Sequence, residues 1–337
     1  YPTYTLAGIL LQLVPVGDPY ARVVLLSWLP AAIVAGLLAL LIIIILQDHH
    51  ASFSIPIAIL VGIAWGLMPF LWSQAVIVEV HGLQSLFLVL TLSWIWSLTK
   101  SEPGKSKTIV LVLLSFAYGL AVGNHITILL FLPVIIISLL ISKRNGFSCG
   151  MLLSQLIAFL IGLLVYLYLP IRAAQYPPIN WGNPLTLQGF WWVISGNPYQ
   201  NLVATTTLAQ VFQRISALAG LLMQQFGIPG VILGVIGAIQ FNHRQKQFPW
   251  FLVYLFFSFS FFAILYGTDD SITYLLAPFL VFAIWIALGM AIIIQWNWKK
   301  IPVGFILLGA YIVITVLNIP GTMREVNPRK QTQPADY

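Results

Sequence analysis

RVVLLSWLPAAIVAGLLALLIIIIL, residues 22–46, decides the fold. After Arg22 no charge interrupts it. At about 1.5 Å per residue, a helix of this length crosses the roughly 30 Å hydrocarbon core of a bilayer. The apolar residues are continuous rather than alternating, which favours a helix over a barrel strand. In lipid, a helix also satisfies its own backbone hydrogen bonds. Working outward, the same reading finds runs near 55–72, 82–98, 108–123, 126–142, 150–169, 216–240, 248–266, 272–295 and 301–318. The expected fold is an all-α polytopic bundle of about ten helices forming one transmembrane domain over 1–337. The second to fifth runs are short, so tilted, broken or partial spans are expected among them. Composition agrees: hydrophobic residues make up 60%, charged residues 7%, and mean hydropathy is +0.97. A soluble surface with so few charges would expose large apolar patches.

The net charge of +7 does not imply nucleic acid, because the basic residues form no single patch. Lys100, Lys105 and Lys107, Lys143 and Arg144, Arg244 and Lys246, and Lys299 and Lys300 sit between runs and fall on one side of a ten-span bundle. The positive-inside rule makes that side cytoplasmic. Asp18, Glu79, Asp269, Asp270, Glu325 and Asp336 then fall outside, while Asp48 and Glu102 fall inside. The one cysteine, Cys149, excludes an internal disulfide and a cysteine-based metal cluster.

Polar residues gather at the side read as extracytoplasmic. Glu79 and His81 follow the second run; beside apolar neighbours they suit an acid, a metal ligand or a phosphate neighbour, or else a solvated pair at headgroup level. Asn124 and His125 form a sharp break between two runs. They suit phosphate binding or proton shuttling, or else a helix cap by Asn124 with His125 reaching for water. Arg172 leaves the membrane where a lipid phosphate would lie, and its fork suits bidentate binding; the alternative is an interfacial anchor. Asn180 and Trp181 follow, and the flat Trp181 ring matches a sugar face or an aromatic belt. Asp269 and Asp270 share a tight turn, where a divalent cation, a hydroxyl or plain solvent would serve them. Arg172, Asn180 and Trp181 lie in the longest linker, about 170–215. Its four prolines, Pro170, Pro177, Pro178 and Pro184, rule out a continuous helix, while Thr186 to Ser195 reads as a short interfacial helix.

No P-loop, G-x-G-x-x-G, H-E-x-x-H or G-x-S-x-G is present. Charges are absent from the interiors of the runs. Gln155, Gln224 and Gln225 are the main deep polar groups, and interhelical hydrogen bonds account for them. This distribution favours chemistry at the outer rim over passage through the middle. A transporter or flippase of a lipid-linked glycan, or a non-catalytic scaffold, is the rival reading.

Six stretches carry a family resemblance: YPTYTL at 1–6, ARVVLLS at 21–27, FLWSQAVIVEV at 70–80, GLAVGNH at 119–125, YLYLPIRAA at 166–174 and PPINWGNP at 177–184, with a weaker echo in YLLAP at 274–278. Together they resemble a family of bacterial polytopic membrane proteins, formerly of unknown function, that includes the animal transmembrane protein O-mannosyltransferases and looks like a branch of the GT-C glycosyltransferases. The resemblance implies sugar transfer from a polyprenyl-phosphate carrier to a protein or glycan acceptor at the extracytoplasmic face of the plasma membrane. Arg172 with His125 would hold the carrier phosphate, Glu79 with His81 would orient the acceptor or a cation, and Trp181 would meet the sugar. In this family a first helix and an acidic loop ending in an H-P-P-G-like run precede the Y-P-x-Y stretch, and a soluble region often follows. The chain is therefore expected to be a piece cut at both ends, with the catalytic acid lying before Tyr1.

Overall fold

The computed structural model describes residues 1–48, 53–99, 105–144, 146–240, 247–294 and 303–325. Short α1 (Pro2–Gln12) precedes α2 (Pro19–Asp48), α3 (Ser54–Gly66) and α4 (Pro69–Ala75). Next come α5 (His81–Thr99), α6 (Lys105–Asn124), α7 (Leu132–Arg144) and α8 (Cys149–Leu163). The stretch after α8 holds α9 (Tyr168–Ala173), α10 (Leu187–Ile194) and α11 (Asn197–Gln200). The chain closes with α12 (Leu208–Gln240), α13 (Phe248–Leu265), α14 (Leu276–Ile293) and α15 (Val303–Glu325). Tight helical turns at Ile126–Phe131, Leu164–Leu167 and Asp269–Leu275 join α6 to α7, α8 to α9 and α13 to α14.

Among the described residues nine helices are long and apolar enough to cross a membrane, or ten if α3 and α4 make one bent span. The chain is an all-α, integral, multi-pass membrane protein. The run expected over 55–72 is broken, with a 55° bend between α3 and α4. Pro69 has no N–H to continue a helix and disfavours helical backbone before it, so Met68 is extended at φ −60°, ψ 124°. Two further differences concern length. The stretch before Arg22 contains a helix, α1, and α12 starts at Leu208 rather than near 216. The short interfacial helix expected over 186–195 is present as α10, with Thr186 Oγ1 accepting from the Gly189 N–H at 3.0 Å.

Helix α14 forms the axis, buried at every position from Leu276 to Met290. It packs directly against α12, where a Cβ on Gly237 or Gly289 would overlap the carbonyl of Trp285 or Leu233 on the facing helix. Such close backbone approach is how membrane helices gain packing energy without a hydrophobic drive between them. By contrast, α8 and α15 expose Leu153, Ile157, Leu160, Val313 and Val316 outward, as lipid-facing helices do. At the end read as cytoplasmic, Lys107 lies over the Phe147 ring at 5.6 Å, and Lys143 and Arg144 close α7. Lys100, Glu102, Arg244, Lys246, Lys299, Lys300 and Asp336, which also entered the orientation reading, lie outside the described residues.

Candidate functional site

At the opposite end, α2 and α5 approach closely because Gly82 has no side chain; a Cβ there would overlap the Ser27 carbonyl. The buried Ser27 hydroxyl donates to the Glu79 carbonyl at 2.9 Å and accepts from the Glu79 N–H at 3.1 Å. The Tyr4 hydroxyl of α1 lies 3.3 Å from the same oxygen. One serine thus holds both backbone groups of Glu79. Its carboxylate comes to 4.0 Å from His81 Nε2, with side chains 44% and 11% exposed respectively. With the histidine this buried and the separation this long, the contact orients the two side chains rather than acting as a stabilising ion pair.

Helix α6 ends against this loop. Its last carbonyls need partners, and two motif side chains supply them: Thr3 Oγ1 donates to Leu120 O at 2.6 Å and the Tyr166 hydroxyl to Val122 O at 2.8 Å. Asn124, fully buried, donates from Nδ2 to Gln84 Oε1 at 3.0 Å, leaving its own Oδ1 and Gln84 Nε2 without partners. The cap at this break is His125, not Asn124. His125 is 5% exposed rather than reaching for water. Its backbone is extended, and Nδ1 accepts from the Thr127 N–H at 3.3 Å and sits 2.8 Å from Thr127 Oγ1. Because Nδ1 accepts, the ring proton belongs on Nε2. Burial pushes the His125 imidazole down to about 3, and the neighbouring His81 adds to the shift, so the ring is a neutral hydrogen-bond donor.

Around His125 the rings of His81, Tyr274 and Tyr1 lie at 6.0, 5.5 and 5.4 Å, the last stacked. His81, Gln84, His125, Thr127, Thr273 and Tyr274 line a cavity of about 10 Å³, room for one water. Asp270 lies within electrostatic reach of His81 and Tyr1. The turn carrying it is pinned by Gly267 N–H to Leu202 O at 2.8 Å and Ala204 N–H to Leu265 O at 3.0 Å. Arg214 of α12 caps the same turn, donating to the carbonyls of Ala263, Ile264, Tyr266 and Thr268.

The structure therefore brings Glu79, His81, Asn124, His125 and Asp270 to one place. The side chain of Asp269 lies outside what is described. Arg172 does not join them through any hydrogen bond or ion pair; it is exposed on α9 and donates to Gln175 Oε1 at 2.7 Å. Asn180 Nδ2 donates to Asn183 Oδ1 at 3.2 Å, and Trp181 stands edge-on to Trp192 and Tyr199 at 6.2 and 5.9 Å. Among the described residues no three of His, Cys, Asp and Glu come together as a metal site. Sequence reading missed Ser27, Gln84 and Tyr274. Each had a signal, since Ser27 closes ARVVLLS, Tyr274 opens YLLAP, and Gln84 falls three residues after His81 on the same helix face.

Fold and site define a polytopic membrane protein with a buried polar cluster at one end of its helices. Residues 1–148 match the family described as the N-terminal domain of protein O-mannosyl-transferase TMEM260. Over 194 residues the chain is 30% identical to the mouse protein O-mannosyl-transferase TMEM260, covering 56% of this chain and 27% of the mouse protein. The chain thus spans little more than a quarter of that curated relative.

Proposed function

We propose that this chain is part of a glycosyltransferase that moves a sugar from a polyprenyl-phosphate carrier to a protein or glycan acceptor at the extracytoplasmic face. One observation carries the reading: Tyr4, Ser27, Glu79, His81, Asn124 and His125 belong to separate stretches of the region similar to an O-mannosyltransferase domain, and they meet at one end of the bundle. Packing alone would not require so many polar groups together in an apolar bundle, where each buried polar atom is costly.

In this reading Glu79 and His81 orient the acceptor hydroxyl, and Asp270 adds negative charge for a cation or a hydroxyl. Neutral His125 offers its Nε2–H to a phosphate or sugar oxygen, and Asn124 fixes the loop beneath it. Arg172 supplies the full positive charge that a phosphate needs and that a neutral imidazole lacks. Trp181, held edge-on by two other rings, presents its face to the sugar, with Asn180 beside it. The whole chain is one transmembrane domain in this reading, with 170–215 as its extracytoplasmic loop.

Full-length protein reconstituted with a radiolabelled polyprenyl-phosphate sugar tests the proposal. Transfer should fall at least tenfold in both Arg172→Ala and Glu79→Gln, about the loss of one charge-assisted contact. Undiminished transfer in both variants, or no transfer by the intact protein, would overturn it.

A further inference from the structure

Two broken spans and a third helix that carries a proline line one groove. Pro69 opens α4 after the 55° bend, Gly227 breaks α12 at φ 68°, ψ 165° two residues before Pro229, and Pro320–Gly321 lie in α15. Pro69, Gly227 and Gly321 belong to distant parts of the chain, yet all line one groove of about 480 Å³. That size is typical of small-ligand sites, roughly 300–1,000 Å³. Irregular backbone within a membrane persists only where protein or a filled cavity satisfies it, and broken spans mark binding sites in membrane proteins.

The protein satisfies part of this need. Gln225 Oε1 accepts the otherwise orphaned Phe70 N–H at 2.9 Å, and Thr322 Oγ1 donates to Asn318 O at 3.1 Å. The side-chain amides of Gln224 and Asn318 line the groove, are exposed, and have no hydrogen-bond partner among the described residues. Interhelical bonding, expected from sequence for Gln155, Gln224 and Gln225, holds for Gln155 and Gln225 but not for Gln224. Gln224 lies deep inside the Leu208–Ile239 span, and Asn318 lies in the last two turns of the Gly304–Arg324 span. An unpaired amide facing hydrocarbon costs a few kcal/mol. Among the described residues no Asp, Glu, Lys, Arg or His lines the groove, so none of them neutralises a charged group there. Exposed Met223, Ile228 and Leu317 flank it and continue the lipid-facing surfaces of α12 and α15.

We propose that this groove is a lateral binding site for a neutral lipid of the diacylglycerol kind. Its uncharged ester or hydroxyl oxygens pair with the Gln224 and Asn318 amides, and its chain lies along Met223, Ile228 and Leu317. The inference stands apart from the transferase reading, since it rests on none of the residues assigned there.

The test uses full-length protein in nanodiscs containing a photoactivatable diacylglycerol, with labelled peptides mapped by mass spectrometry. Labelling is expected in 223–228 and 314–322, competed by unlabelled diacylglycerol. It should fall about tenfold in Gln224→Leu/Asn318→Leu, as two lost neutral hydrogen bonds predict. Gly321→Phe should abolish it with the melting temperature unchanged, because a Cβ at Gly321 meets nothing within 4 Å and the ring fills open groove. Labelling outside these peptides, labelling that survives Gly321→Phe, or equal competition by phosphatidic acid would overturn the proposal. So would efficient cross-linking of two copies through Leu317→Cys without lipid labelling, which would put a helix in the groove.

Discussion

His125 makes the stability of this bundle depend on pH in a calculable way. The folded imidazole is held down to about 3, against an ordinary value of 6.5, chiefly by burial. Above 6.5 both folded and unfolded states carry a neutral ring, and its contribution is fully present. Below 6.5 the unfolded chain binds a proton that the folded site refuses, so stability is lost progressively until the pH reaches about 3. Each pH unit in that window costs about 1.4 kcal/mol. Acidifying from about pH 7.5 to about pH 5 crosses a unit and a half of it, a loss of about 2 kcal/mol through this residue. His125→Asn removes the titration and leaves a side-chain oxygen for the Thr127 N–H, as a good N-cap does. Unfolding by SDS in mixed micelles, followed by tryptophan fluorescence at the two pH values, measures both proteins. Groups away from the site titrate equally in each, and placing both proteins in a His81→Asn background removes the coupled histidine, so the difference isolates His125. The variant should lose about 2 kcal/mol less on acidification. Equal losses, within about 0.5 kcal/mol, would refute the assignment of a buried neutral ring.

Two further perturbations follow from the same geometry. Ser27→Ala removes the hydroxyl that holds both backbone groups of Glu79, and should cost about 1–3 kcal/mol in the same unfolding assay. Arg214→Met strips the cap from the carbonyls at the end of α13 and should cost about 3 kcal/mol, with Arg214→Lys recovering part of the loss. An unchanged denaturation midpoint would contradict either.

Much of this molecule was readable from its residues, for reasons of scale. A bilayer demands long apolar helices, so each expected run coincides with a span or, for α3 and α4, a bent one. Pro69 even marks where that break falls. The candidate site was legible as a set of loops but not as an arrangement. Asn124 and His125 look like a solvated tip because they sit at a turn, yet α1 and the turn after α13 bring Tyr1 and Tyr274 over His125 and bury it. Arg172 lies exposed on α9 and donates to Gln175, with no direct hydrogen bond or ion pair to His125 among the described residues, so any joint role would run through a ligand.

By itself the sequence determined the class: an all-α membrane bundle whose polar residues gather in the loops, because hydrophobic length is a local property and is read one segment at a time. Only the tertiary structure decided which polar residues meet. Ser27 reaches Glu79 across 52 positions, Asn124 reaches Gln84 across 40, and Gln225 caps α4 across 155, leaving Gln224 and Asn318 facing a groove. Such pairings depend on how closely whole helices approach, which glycines at contact points such as Gly82 and Gly289 permit and no single segment encodes.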